Sequence, residues 1–188
     1  MRPNVQILST VALVALLSAC ASGPSKAPMM AAKPFDVASL PTAVQVPAGH
    51  AVVLETVGTG SITYECRAKA AAADQFEWAF VGPDAKLASR SGQALGSYFG
   101  PPATWLSLDG SKVTGAQLAV APGPAGAIPL QLVKANPAVG AGAMQGITYI
   151  QRVATMGGVA PASACNAASA RSKEVVKYQA DYIFWRAV

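Results

Sequence analysis

Acidic side chains and histidine are scarce in this 188-residue chain: nine Asp and Glu, against fourteen Lys and Arg, and one histidine, His50. A zinc site of the usual His/Cys kind has almost nothing to be built from. A hydrolase triad would have to take His50 as its base. It stands where the Ala48-Gly49 loop enters an apolar segment, which suits a surface or turn histidine better. HExxH, GxSxG and GxxxxGKS/T are absent, so zinc-peptidase, α/β-hydrolase and P-loop chemistry all lack their signatures. The acids present (Asp36, Glu55, Glu65, Asp74, Glu77, Asp84, Asp109, Glu174, Asp181) show no spacing that sets two carboxylates across a sugar. Helical propensity is confined to residues 68–75, too few for more than a turn or loop. No repeat of fixed period occurs.

Clustered positive charge is also missing. The basic residues are scattered, and the densest stretch, Arg171-Ser172-Lys173-Glu174-Val175-Val176-Lys177, is broken by Glu174. No nucleic-acid partner is implied. The net charge of +5 describes a soluble face with at most weak attraction to anionic headgroups or cell-wall polymers.

What the chain does have begins at its N-terminus. Arg2 precedes an apolar run from Val5, which ends in Leu17-Ser18-Ala19-Cys20. The run falls short of the ~20 residues that a membrane-spanning helix needs, and Ser9-Thr10 interrupt it. Basic start, short apolar core and small residues before a cysteine spell a bacterial secretion signal, and the ending looks like a lipobox. The expectation is a signal peptide over 1–19 and acylation, with palmitate as a typical chain, on Cys20. The membrane is then a partner through the anchor and is not spanned. Ala21, where an aspartate would favour the inner membrane, points to the periplasmic face of the outer membrane. Residues 20–39 are read as anchor cysteine and flexible tether, and 40–188 as one domain with a sizeable core.

Two cysteines remain, Cys66 and Cys165, an even pair in an exported chain. One disulfide is the simplest outcome. Closing a loop of about 100 residues is worth roughly 4–5 kcal/mol by chain entropy.

From Val44 onward, short apolar segments alternate with Gly, Pro and Asp punctuation. Strands are expected over 50–57, 61–67, 76–81, 95–99, 104–108, 112–120, 128–135, 147–154 and 174–188. Gly58-Thr59-Gly60 is read as a turn, and Asp109-Gly110 as a hairpin. In 61–67, Ile62, Tyr64 and Cys66 share one face; in the last segment Tyr178, Ala180, Tyr182 and Phe184 do. Pro122, Pro124, Pro129 and Pro137 mark loops or edges. The fold class is therefore all-β: a single-domain antiparallel sandwich or barrel of roughly 8–10 short strands, with little helix and one disulfide.

Most aromatics fall inside these strands, where core packing accounts for them. Trp105 follows the rigid Gly100-Pro101-Pro102-Ala103 loop, and Trp185 sits on the otherwise polar face of the last strand. A second packed layer is the first reading for both; sugar or peptide binding is the sharper one.

The order of several blocks resembles a known family. Ile62-Thr63-Tyr64-Glu65-Cys66 is followed by Trp78, Gly82-Pro83-Asp84, Trp105 and Asp109-Gly110-Ser111-Lys112-Val113-Thr114-Gly115. Thr148-Tyr149-Ile150-Gln151-Arg152-Val153, Cys165 and Val176-Lys177-Tyr178-Gln179-Ala180-Asp181-Tyr182 come later. Together they resemble the DUF3455 family, secreted proteins of bacteria and fungi of undetermined function, over roughly residues 40–185. The resemblance implies an extracytoplasmic β-rich domain with its two cysteines bridged. Members commonly carry a histidine in a Gly-x-His-aromatic-Gly-Pro-x-Trp block. Here the run is Gly96-Ser97-Tyr98-Phe99-Gly100, with Tyr98 in that place. A reaction served by that histidine would be lost.

The leading expectation is an envelope-anchored lipoprotein whose non-catalytic β-domain binds an envelope polymer, protein or small ligand, with no cofactor. Tyr98, Trp105, Arg152 and Asp181 are the candidate ligand-binding residues, with Arg152 and Asp181 a possible ion pair. The alternative is a periplasmic hydrolase acting on carbohydrate or ester through Glu65, Glu77 or Asp181. A purely structural envelope role is the third reading.

Overall fold

A computed structural model describes residues 36–188. The expected signal peptide (1–19), Cys20 and the part of the expected tether (20–39) that precedes residue 36 lie outside the described residues. Eight strands follow in order: β1 (His50–Lys69), β2 (Ala72–Ala88), β3 (Ala94–Phe99), β4 (Thr104–Ser107), β5 (Lys112–Ala121), β6 (Leu130–Ala135), β7 (Ile147–Gly157) and β8 (Lys173–Ala187). Each pairs antiparallel with its sequence neighbours, and β8 returns to β1, so the sheet closes as an up-and-down barrel. Of sandwich and barrel, the chain forms the barrel. Closure removes the free edges that a sandwich of these strands would leave. Three 3-10 turns are the sole helical geometry among the described residues.

Three strands are long rather than short: β1, β2 and β8 span 20, 17 and 15 residues. Gly58-Thr59-Gly60, expected to turn, runs straight through β1. The reason lies on the neighbouring strand, β8. A Cβ on Gly58 would stand 2.6 Å from Cε2 of Tyr182, so this glycine makes room for a ring on β8 rather than for a turn. The turn expected somewhere in 68–75 shrinks to Ala70-Ala71, and the strand expected over 76–81 extends through Gly82-Pro83. The Asp109-Gly110 hairpin joins β4 to β5, and the four loop prolines fall in the β5–β6 and β6–β7 connections or at their rims.

The inner face carries the expected period-two residues. At its centre Tyr98 stacks on Trp105, with centroids 4.7 Å apart and planes 26° from parallel. Tyr182 tilts against Tyr98 at 4.9 Å, and Phe184 meets Trp105 edge-on at 6.4 Å. Aromatic contacts of this kind add about 0.5–1.5 kcal/mol each beyond their area.

The outer wall of β5–β8 is a second packed layer. Val44 is fully buried against Leu130 and Leu132, while Val37, Leu40 and Val46 lie on Val153, Ile183 and Trp185. Beneath them the Gln151 amide donates to the Val44 carbonyl at 2.6 Å, and Trp185 Nε1 donates to Gln151 Oε1 at 2.9 Å. Trp185 is thereby a covered core residue, not a surface aromatic.

Cys66 and Cys165 form the disulfide, with Cα atoms 5.5 Å apart. It ties the long β1–β2 arm to the β7–β8 loop. Trp78 Nε1 donates to the Ser163 carbonyl at 2.9 Å, and Arg171 N to the Cys66 carbonyl at 2.8 Å, along the same seam.

Candidate functional site

The two ends of the barrel differ. Where β1 begins, the β6–β7 loop folds Met144 into the interior. At the opposite end, a cavity of about 360 Å³ opens at the mouth. Tyr98, Gly100, Pro101 and Ala103 form one side of it, and Gln117, Gln131, Val133 and Arg152 the other. Phe80 and Pro83 complete the wall from the β1–β2 arm. The Gly100–Pro101 and Pro101–Pro102 peptides at its rim are both cis.

Alternation along β7 puts Arg152 inside. Ile150 faces the core, Gln151 faces outward to Val44, and Arg152 faces inward again. Its Nε and Nη2 donate to the Pro129 carbonyl at 3.2 and 2.9 Å. Among the described residues no carboxylate comes within 4.0 Å of it; the ion pairs are Arg67–Glu65, Arg90–Glu55, Arg90–Asp181 and Lys173–Glu65. Gln131 Nε2 donates to Gln117 Oε1 at 2.7 Å, which orients both amides.

The phenols below the mouth stay neutral. Burial pushes the Tyr178 hydroxyl up to about 12 and those of Tyr98 and Tyr182 above their ordinary value, while the Arg152 guanidinium offsets part of each rise. The Tyr178 and Tyr182 oxygens lie 3.2 Å apart, and Tyr64 Oη donates to the Gly158 carbonyl at 2.7 Å. One cation, two amides and the Tyr98 ring can bind and orient a ligand. A nucleophile with a paired base, or two facing carboxylates, does not line the mouth.

Of the residues singled out from sequence, Tyr98 and Arg152 come together on this cavity. Trp105 lies one layer deeper, stacked beneath Tyr98 and 1% exposed. Asp181 is on the other side of the wall. It stands opposite Val57 and Val153, whereas Arg152 stands opposite Tyr182, so the two charged residues occupy opposite faces and do not pair. Asp181 instead meets Arg90 Nη1 at 2.9 Å, and Arg90 also grips Glu55 from the β2–β3 hairpin. Glu65 is held outside by Arg67 at 3.1 Å and Lys173 at 3.9 Å. Along β1 it lies eight residues from the position beside Asp181, about 26 Å of strand. His50 sits at the far end with Nδ1 3.0 Å from the Pro47 carbonyl and its ring edge-on to Tyr149.

Sequence reasoning missed Gln117, Gln131 and Phe80. Gln131 had a signal, a polar residue between Leu130 and Leu132 and in phase with inward Val133. A bulge between Gln117 and Ala119 hides the phase of Gln117.

A family model described as "Protein of unknown function (DUF3455)" matches residues 47–186. No curated protein and no solved structure matches the chain. The matched span runs from ahead of β1 to the last residues of β8 and so takes in every wall of the mouth. The chain belongs to the DUF3455 family.

Proposed function

We propose that this chain is an envelope lipoprotein whose barrel is a non-catalytic binding module, taking a small ligand into its open mouth. Arg152 carries the reading: a guanidinium on the inner wall of a closed barrel, held by one backbone carbonyl and facing a cavity without a carboxylate partner among the described residues. Arg152 is half-buried at the open mouth, where packing alone would be served as well by an apolar side chain and a charged group adds a handle for a ligand. Leu17-Ser18-Ala19-Cys20 supports the anchor, with the outer membrane's periplasmic face as the address. The hydrolase alternative gains no such support, since Glu65, Glu77 and Asp181 all lie away from the mouth.

Full-length protein extracted from the envelope of a Gram-negative host, analysed by native mass spectrometry, tests the module. A co-purifying small molecule is expected, and it is lost from Ala103→Trp, which fills the cavity. Occupancy that survives Ala103→Trp, or no adduct from any envelope extract, overturns the reading. Cys20→Ala is expected to move the protein from the membrane to the soluble fraction and to remove the acyl mass.

A further inference from the structure

We propose that the ligand of the barrel mouth is a small monocarboxylate with an apolar body, its carboxylate held by the head edge of Arg152. This rests on the reading of the mouth as a binding site and names the chemistry of what fills it.

The first support is the geometry of the guanidinium. Of five N–H groups, those on Nε and one on Nη2 point at the Pro129 carbonyl. That carbonyl fixes the plane of the group by its side edge. One Nη1 hydrogen and the remaining Nη2 hydrogen form the head edge, with no acceptor among the described residues. Two parallel N–H donors at that spacing match the two oxygens of a carboxylate. The Gln117–Gln131 bond engages Gln117 Oε1 and leaves Gln117 Nε2, on the same cavity wall, without an acceptor among the described residues.

Charge count narrows the class further. Arg152 is the sole charged residue lining the cavity, so one negative charge is balanced there. A phosphate dianion or a dicarboxylate would bring a second charge into a half-enclosed site with nothing to meet it. The remaining wall is apolar or aromatic: Phe80, Pro83, Pro101, Ala103, Val133 and the Tyr98 ring. A hydrocarbon body gains from that wall, and a hydroxyl-rich sugar would leave its polar groups unmet. At about 360 Å³ the cavity sits near the lower end of ligand pockets, roughly 300–1,000 Å³, which fits a small molecule and not a polymer strand.

Calorimetric titration of the full-length protein in detergent tests this, with hexanoate and benzoate each run against its uncharged amide, and with inorganic phosphate. At least one acid is expected to bind tenfold or more tightly than its amide, and phosphate more weakly than that acid. Arg152→Gln should bring the acid down to the level of the amide. Arg152→Lys, which keeps the charge without the fork, should recover only part of the difference; matched circular dichroism of both variants guards against misfolding. Equal binding of acid and amide overturns the proposal, as do an unchanged Arg152→Gln, tighter binding of phosphate, and no binding of either acid. If the amides bind as well as the acids and Ala103→Trp abolishes both, the mouth still binds ligands and only the carboxylate assignment falls.

Discussion

At the end of the barrel where β1 begins, the β6–β7 loop inserts Met144 until it is 2% exposed. Asp109 in the β4–β5 turn pins that loop. Its carboxylate accepts from Ser111 N at 2.9 Å, Ser111 Oγ at 2.6 Å and Ala143 N at 2.7 Å, and Ser111 Oγ accepts from Met144 N at 3.1 Å. At the opposite end, Phe80 stands 54% exposed over a cavity, and Arg152 has one carbonyl for its five N–H groups. The strands are the same at both ends; the loops differ in what they do with polar groups. One end engages its carboxylate with its own backbone and closes, while the other leaves donors without partners among the described residues and stays open. A barrel wall made rigid by closure and by a sealed far end can carry an unmatched charge at its mouth.

The comparison is broken hardest at the disulfide, because it braces the mouth end. Replacing both Cys66 and Cys165 by Ser frees a loop of 99 residues and is expected to cost about 4 kcal/mol. Thermal denaturation would register it as a drop of roughly 8–16 °C at 2–4 °C per kcal/mol. An effect under 1 kcal/mol would show that the β1–β2 arm is held by its hydrogen bonds alone. Met144→Ala follows, at about 3 kcal/mol for a buried methionine truncated in a packed interior. Benzoate titration of this variant is expected to be unchanged. If affinity falls with stability, the two ends are coupled through the Trp105–Tyr98 stack and the division between them fails.

Asp109 gives a smaller effect with a distinct pH signature. The Ser111 hydroxyl first, then the Ala143 and Ser111 N–H groups, hold its carboxyl down at about 2 against an ordinary 3.8. A folded value below the unfolded one contributes stability that is complete above pH ~4 and lost as pH falls towards 2. Asp109→Asn should therefore flatten the melting profile between pH 4 and 2 and lower stability at neutral pH by less than Met144→Ala does. Parallel acid profiles for the two proteins would remove Asp109 as the clasp of the closed end.

Alternation made much of this legible. Tyr178, Ala180, Tyr182 and Phe184 alternate down β8 and do face the core, and the two cysteines left after Cys20 do pair. What alternation could not say was which strand lay opposite. Gly58 reads as punctuation until Tyr182 is known to need its space. Trp185 reads as part of a second packed layer, but the sequence does not say that residues 37–46, which carry no period of their own, supply that layer. For the site, Tyr98 and Arg152 stand out in the sequence as an aromatic and a charge in odd settings. Asp181 reads as a partner of Arg152 until the β7–β8 register sets it opposite Val153 and so on the other face. Gln117 escaped because one bulge shifts the phase of β5 just beyond it.

The smallest change in stability is expected from Arg152→Gln, and it is the sharpest test of the contrast between the ends. The substitution removes two N–H contacts to the Pro129 carbonyl and also removes an unmatched charge from the wall. A lost hydrogen bond and a relieved charge oppose each other, so the net effect should stay within about 1 kcal/mol. The phenols would report the lost charge directly. Burial raises Tyr98 and Tyr178, and the Arg152 guanidinium holds part of that rise back, so both should titrate at higher pH in the variant. Spectrophotometric titration of tyrosinate measures the shift. The sign for stability follows from a folded value near 12 for Tyr178 against 10.0 unfolded: its contribution is complete below pH ~10 and lost as pH rises towards 12. Arg152→Gln extends that alkaline loss upward and leaves neutral stability almost untouched. A melting temperature that instead falls as far as in Met144→Ala would make Arg152 a structural strut. The mouth would then be a second closed end, held shut by a side chain instead of a loop.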